Sequence, residues 1–420
     1  MSVGFLTKKA KRLSFVLSAL FTRQNLAGRL TGAARGARHL SLSIRLADPT
    51  DLDKALALAE PLALAANTQA VVAERRTGQI VYQFELPPGF WENYTRADLP
   101  SPGAVGLAEQ RRPVLFVLDP PHTLIAGTSG SGKSETVKSA LVSLLQTNDP
   151  AALDLAIVDP HGDYGDFWNV AHLAIPMAQE GPEITTALTR LAGELAHRKG
   201  NNDRTAKRFV IVVDEAHEAL RDNRNLAAIQ ALAQGRKFNM HLVLVIHKPL
   251  HKNLPSVLDN LDNRFVGKVV DAKVSATATG QAGLEAHKLT GKGDFLHVVG
   301  AKVERFQVAQ ATRQDIERLP RTDTPAPLSL ADGQPIPDLP ADLPDPPPPG
   351  RPRIEIDPIV LAHYFYHGPD QITRRIAQEL FGMGRTGHDK HRDFCKQFAR
   401  EYIRLRRQQN NKSLSLTQTI

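Results

Sequence analysis

The chain of 420 residues contains a single cysteine, Cys395. That excludes a disulfide framework and a zinc site built on several thiolates. It fits a reducing compartment, so the expected location is cytoplasmic. Long apolar runs are also missing. No stretch approaches the roughly 18 residues a membrane-spanning helix needs, so no transmembrane segment is expected. Residues 1–47 lack Asp and Glu altogether and carry nine Lys and Arg; residues 351–420 carry thirteen Lys and Arg against seven acids. The formal charge of +8 therefore rests on the two ends, and the stretch between them sums to −7. Basic ends around a mildly acidic body point to nucleic-acid contacts made by the ends.

The composition shifts along the chain divide it into five parts. Lys8, Lys9, Lys11 and Arg12 precede a short apolar run, which imitates a secretory leader. Ser14 and Ser18 interrupt the run and no small-x-small cleavage site follows, so residues 1–45 read as a basic amphipathic arm that contacts DNA or a membrane surface. Residues 46–110 read as a small α+β module with a hairpin turning at Arg75–Gly78. Residues 111–318 alternate strands and helices. Their continuous Val/Ile/Leu runs at 153–158, 209–213 and 242–246 predict an α/β domain with a largely parallel sheet. Residues 319–353 are a proline-rich linker, with twelve prolines between 320 and 352. Residues 354–420 form a basic helical unit.

The sharpest motif is Gly127-Thr128-Ser129-Gly130-Ser131-Gly132-Lys133-Ser134. It fits the phosphate-binding loop pattern, with a strand before it and a helix after it. Glycines let backbone N–H groups converge on phosphates, and the helix presents its positive end to the anion. The nucleotide-binding set is Gly127 to Ser134 together with Glu135. Lys133 is expected to reach the β- and γ-phosphates of ATP, and Ser134 to ligate Mg²⁺. A second motif, Phe209 to Glu215, ends an apolar strand in two carboxylates. Asp214 is expected at the Mg²⁺ and Glu215 as the residue that activates water. Asp214-Glu215-Ala216-His217 also spells the tetrad of a two-domain helicase family. Too few residues precede the proline linker for a second such domain. One ATPase domain would then need a neighbouring subunit, which predicts a ring oligomer.

At this point several motifs together resemble the FtsK/SpoIIIE/HerA group of DNA translocases. They are the loop at 122–134, Asp159-Pro160-His161-Gly162, the helix and strand from Ala233 to Pro249, Asn263-Arg264-Phe265, and Leu289 to Leu296. The resemblance implies a RecA-like domain and a homo-hexameric ring that threads double-stranded DNA, fuelled by Mg·ATP. It would work as a soluble motor or one recruited by a partner protein. It places His247 where the family has a glutamine that senses the phosphates. Ser275-Ala276 stands where the family has a Ser-Arg pair, leaving Arg264 or Arg236 as the arginine acting in trans. His161 and Asp163 read as contacts to the nucleotide or the neighbouring subunit. Residues 354–415 resemble a helix-turn-helix. The alternative readings are a related ATPase moving a protein cargo, as in type VII secretion, and a DNA-binding regulator controlled by ATP.

Overall fold

Phe209, Ile211 and Val213 pack into one hydrophobic cluster, and Val210 and Val212 into another, on opposite faces of one sheet. This two-sided burial is the reason the segment reads as an unbroken apolar run. In the computed structural model, residues 3–249 and 257–322 are described. The helical unit expected at 354–420 and nearly all of the proline linker lie outside the described residues.

The chain begins with α1 (Val3–Arg23), β1 (Gly28–Arg35), β2 (His39–Leu46), α2 (Leu52–Leu56), α3 (Ala59–Ala66), β3 (Val71–Arg76) and β4 (Gln79–Glu85). The strands form an antiparallel sheet in the order β1-β2-β4-β3. Leu13, Leu17 and Phe21 of α1 are buried with Leu42, Leu62, Tyr82 and Phe84 in a core of their own. Residues 1–45 are therefore not a separate arm but half of the first module. The apolar face of α1 is covered by a sheet whose central strands lie far apart in sequence. Lys8, Lys11, Arg12, Arg23 and Arg29 remain exposed.

The second part continues with β5 (Tyr94–Thr95), β6 (Ala104–Ala108), β7 (Pro113–Leu115), β8 (Thr123–Ala126), α4 (Lys133–Thr147), β9 (Leu153–Val158), α5 (Gly181–Gly200), β10 (Arg208–Val213), α6 (Ala216–Ala219), α7 (Asn223–Leu232), β11 (Met240–Ile246), β12 (Asn263–Val266), α8 (Ala272–Thr279), β13 (Asp294–Val299), β14 (Lys302–Gln310) and α9 (Arg313–Glu317). The sheet runs β7-β6-β14-β13-β12-β8-β11-β10-β9, with β5 beside β14. The five strands from β12 to β9 are parallel. The other half is antiparallel, so the sheet is mixed rather than largely parallel. Residues 94–108, read from sequence as part of the small module, belong to this large sheet. Their partner, β14, lies some two hundred residues downstream, and no local pattern records that pairing.

Buried polar groups join the two sheets. Arg305 forms an ion pair with Asp294 at 2.7 Å, both nearly inaccessible, and donates to Gln83 at 2.9 Å. Arg38 donates to Gln307 and to the backbone oxygen of Lys292, the latter at 2.7 Å.

Burial pushes His122, His241 and His297 down to about 4. In the unfolded chain each would titrate near 6.5. The unfolded state thus takes up more protons between these values, and stability is lost as pH falls through that window. The melting temperature should drop by on the order of 5–10 °C from pH 7 to pH 5. Thermal unfolding followed by circular dichroism checks this, and a flat profile would refute it.

Candidate active site

β8 ends at Ala126, and the chain turns through Gly127–Gly132 into α4. Gly130 and Gly132 have φ of +74° and +105°. A Cβ on Gly132 would also lie 2.7 Å from the amide nitrogen of Gly293, so glycine is required there on two counts. The loop is braced from outside. Thr128 N donates to Lys268 O (2.7 Å), Lys292 N to Gly130 O (3.0 Å) and Gly293 N to Ser131 O (2.7 Å). Among the described residues, the amides of Ser129, Gly130 and Gly132 have no acceptor. Glu135 lies in the first turn of α4, 3.8 Å from Lys138.

Strand order decides which groups meet. β11 lies between β8, which leads into the loop, and β10, which ends at Asp214 and Glu215. The residue that follows β11, His247, therefore emerges between Lys133 and Glu215. Lys133 Nζ lies 3.1 Å from His247 Nδ1, and His247 Nε2 makes a short contact with Glu215 Oε1. An ammonium has no lone pair, so Nδ1 accepts and the ring proton sits on Nε2, facing the carboxylate. His217 Nδ1 lies 3.0 Å from the other Glu215 oxygen. Glu215 takes a left-handed backbone, φ +42°, with its N–H donating to Asp214 Oδ1 at 2.7 Å. A glutamate held in that region is costly and is found where a site over-determines it.

Lys133 is buried, and among the described residues no carboxylate lies within ion-pair distance of it. Burial lowers its pKa, against the fields of Glu215, Asp214 and Asp163. Burial also raises that of Asp214. A buried cation beneath a cradle of unpaired amides fits a polyphosphate. Among the described residues no three His, Cys, Asp or Glu groups could hold a metal by themselves. Magnesium on a nucleotide needs only one or two protein ligands beside the phosphates. Ser134 and Asp214 fit that role, and the ion would neutralise charge on the β- and γ-phosphates.

The two arginines fare differently. Arg264 donates to the carbonyls of Leu261, Leu258, Thr277 and Ala278 at 2.7–3.2 Å. It pairs in register with Leu124, two positions short of the strand end that leads into the loop. Its guanidinium is engaged in holding α8 on β12, so of the two arginines expected as candidates to act in trans it is the one already occupied within its own chain. Arg236 is exposed and has no ion-pair partner among the described residues.

Two contacts are absent from the sequence reading. Ser134 Oγ donates to Asp163 Oδ2 at 2.7 Å, and Tyr164 OH donates to Asp214 Oδ2 at 2.7 Å. The signal available was the acid-Pro-His-Gly turn closing a buried strand beside the phosphate loop. It marks the turn, but not which side chains the turn aims at Ser134 and Asp214.

Removing the imidazole should show its place in this network. His247→Ala should lower kcat for ATP about tenfold, the usual size for loss of one positioned polar group. His247→Gln should stay within about threefold of the parent, since an amide can both donate and accept. Steady-state ATPase kinetics read both, and an alanine variant with parental kcat would remove His247 from the site.

Fold and loop together have the form of a P-loop nucleotide-binding domain. Residues 90–277 match the model of the FtsK/SpoIIIE family. The chain is 27% identical to the DNA translocase FtsK of Staphylococcus aureus (strain Mu50 / ATCC 700699) over 229 residues, covering 47% of this chain and 29% of that protein. It is 28% identical to the DNA translocase FtsK of Helicobacter pylori (strain ATCC 700392 / 26695) over 228 residues, covering 47% of this chain and 26% of that one. The chain thus spans less than a third of the length of these relatives. Among solved structures, the pCW3 conjugation coupling protein TcpA aligns with a TM-score of 0.46 at 19% identity, covering 71% of this chain and 95% of its own. The cytoplasmic domain of the Thermomonospora curvata type VII secretion ATPase EccC gives 0.46 at 19%, covering 52% and 32%. Residues 90–277 are thus similar to FtsK/SpoIIIE-type P-loop ATPases.

Proposed function

We propose that this protein is an ATP-driven translocase of double-stranded DNA, with a RecA-like domain working in a homo-oligomeric, hexameric ring. The observation that carries the chemical half is the convergence of Lys133, His247 and Glu215 from three adjacent parallel strands. In this reading Lys133, Ser134 and Asp214 hold Mg·ATP, and Glu215 takes a proton from the attacking water. The ring follows from a single ATPase domain whose Arg264 is occupied. An exposed arginine such as Arg236 then completes the neighbour's site.

DNA as cargo is supported by the named relatives and by charge. The first module exposes Lys8, Lys11, Arg12, Arg23 and Arg29, with no acid before Asp48. Such a surface suits phosphate backbones regardless of sequence. Among the described residues no helix is long and apolar enough to cross a membrane. Recruitment by a partner protein and a cytoplasmic location belong to the same reading.

The test is ATP hydrolysis by the purified full chain with and without linear duplex DNA. Stimulation that weakens steeply with salt supports the motor. Hydrolysis indifferent to DNA would overturn the cargo assignment in favour of a protein substrate.

A further inference from the structure

The two groups suited to magnesium come from different motifs, yet both are held by one short turn. The turn begins at Asp159, the residue after β9. Its carboxylate is fully buried and accepts from the backbone N–H of Asp163 (3.0 Å) and of Tyr164 (2.8 Å). Gly162, at φ +74°, lets the chain double back over that carboxylate. The turn is thereby fixed by its own first residue, and its last two side chains point in set directions. Asp163 accepts a hydrogen bond from the Ser134 hydroxyl, and Tyr164, itself fully buried, donates one to Asp214.

The consequence is chemical. A serine hydroxyl has one proton and two lone pairs. With the proton committed to Asp163, the lone pairs of Ser134 are left for a cation. Asp214 receives one hydrogen bond on each oxygen, from Tyr164 and from Glu215 N, which fixes the plane of its carboxylate. Outer partners of this kind orient a ligand before the metal arrives, and their loss typically weakens metal binding about 10–100-fold.

We propose that the Asp159–Tyr164 turn is the positioning element of the magnesium site, with Tyr164 orienting Asp214 and Asp163 orienting Ser134. This rests on the ATPase reading above. It assigns to the segment a role toward the metal within one subunit, in place of the contact with nucleotide or neighbour that the sequence implied.

The experiment measures equilibrium binding of a fluorescent, non-hydrolysable ATP analogue to the full chain, once in excess magnesium and once in excess EDTA. Tyr164→Phe keeps the buried ring and removes only the hydroxyl. It should cut the magnesium-dependent gain in affinity about tenfold and leave the EDTA affinity unchanged. A merely structural role would lower both alike. Asp163 is exposed, so Asp163→Ala should fold as the parent does and should lose part of the gain. Asp163→Asn, which keeps an acceptor for Ser134, should recover it. A parental gain in Tyr164→Phe, equal losses in both conditions, or an asparagine variant no better than alanine would overturn the proposal. Absence of magnesium-dependent binding in the parent would sink the ATPase reading itself, and this proposal with it.

Discussion

Lys133→Ala should lower ATP turnover by about 10²–10³-fold and abolish any stimulation by duplex DNA. The reason is the setting of this ammonium. It is buried under the loop, it carries the charge nearest the cradle of unpaired amides, and its one close side-chain partner is the neutral His247. An alanine there leaves the amides in place but removes the full charge that meets developing negative charge on the phosphates. Nucleotide affinity should weaken as well, because a charge-assisted bond is lost in the ground state. The helix α4 should persist, since alanine is the best helix former. Steady-state hydrolysis with circular dichroism as the folding control checks the expectation. A variant retaining more than about a tenth of parental turnover would place the nucleotide elsewhere.

Glu215→Gln should separate binding from chemistry. Glutamine has the shape of glutamate, and its carbonyl oxygen can still accept from His247 Nε2. It cannot take a proton from water. The expected kcat is about 10²–10⁴-fold lower, the range of a lost general base, with the KM for ATP changed by no more than about threefold. Such a variant should bind ATP and hold it, which single-turnover hydrolysis reads directly. If kcat fell by less than about threefold, Glu215 would be a structural partner of His247 and His217 rather than the base.

How much of this was readable beforehand depends on the kind of burial. β9 was legible with its bounds, and β10 and β11 to within two residues. A strand covered by helices on both faces is apolar at every position, and no helix face imitates that pattern over so few residues. The glycine-rich turn between β8 and α4 was legible because its constraint is local: glycines, a lysine and a serine within eight positions. α1, β1 and β2 were misread as an arm because only every third or fourth side chain of α1 is buried, and every residue of β1 is at least partly exposed. β5 and β6 were placed in the wrong module because what defines them is a partner strand far downstream.

The sequence by itself determined which residues form the glycine-rich loop between β8 and α4, and which strand delivers the carboxylates. Each of these follows from residues adjacent along the chain. Only the tertiary structure decided that β11 lies between β8 and β10, which makes His247 the link from Lys133 to Glu215. It also decided that Arg264 is spent on backbone carbonyls and that Tyr164 and Asp163 hold the groups suited to magnesium. Strand order is set by how helices pack across the two faces of the sheet, and that is a property of the whole core rather than of any segment.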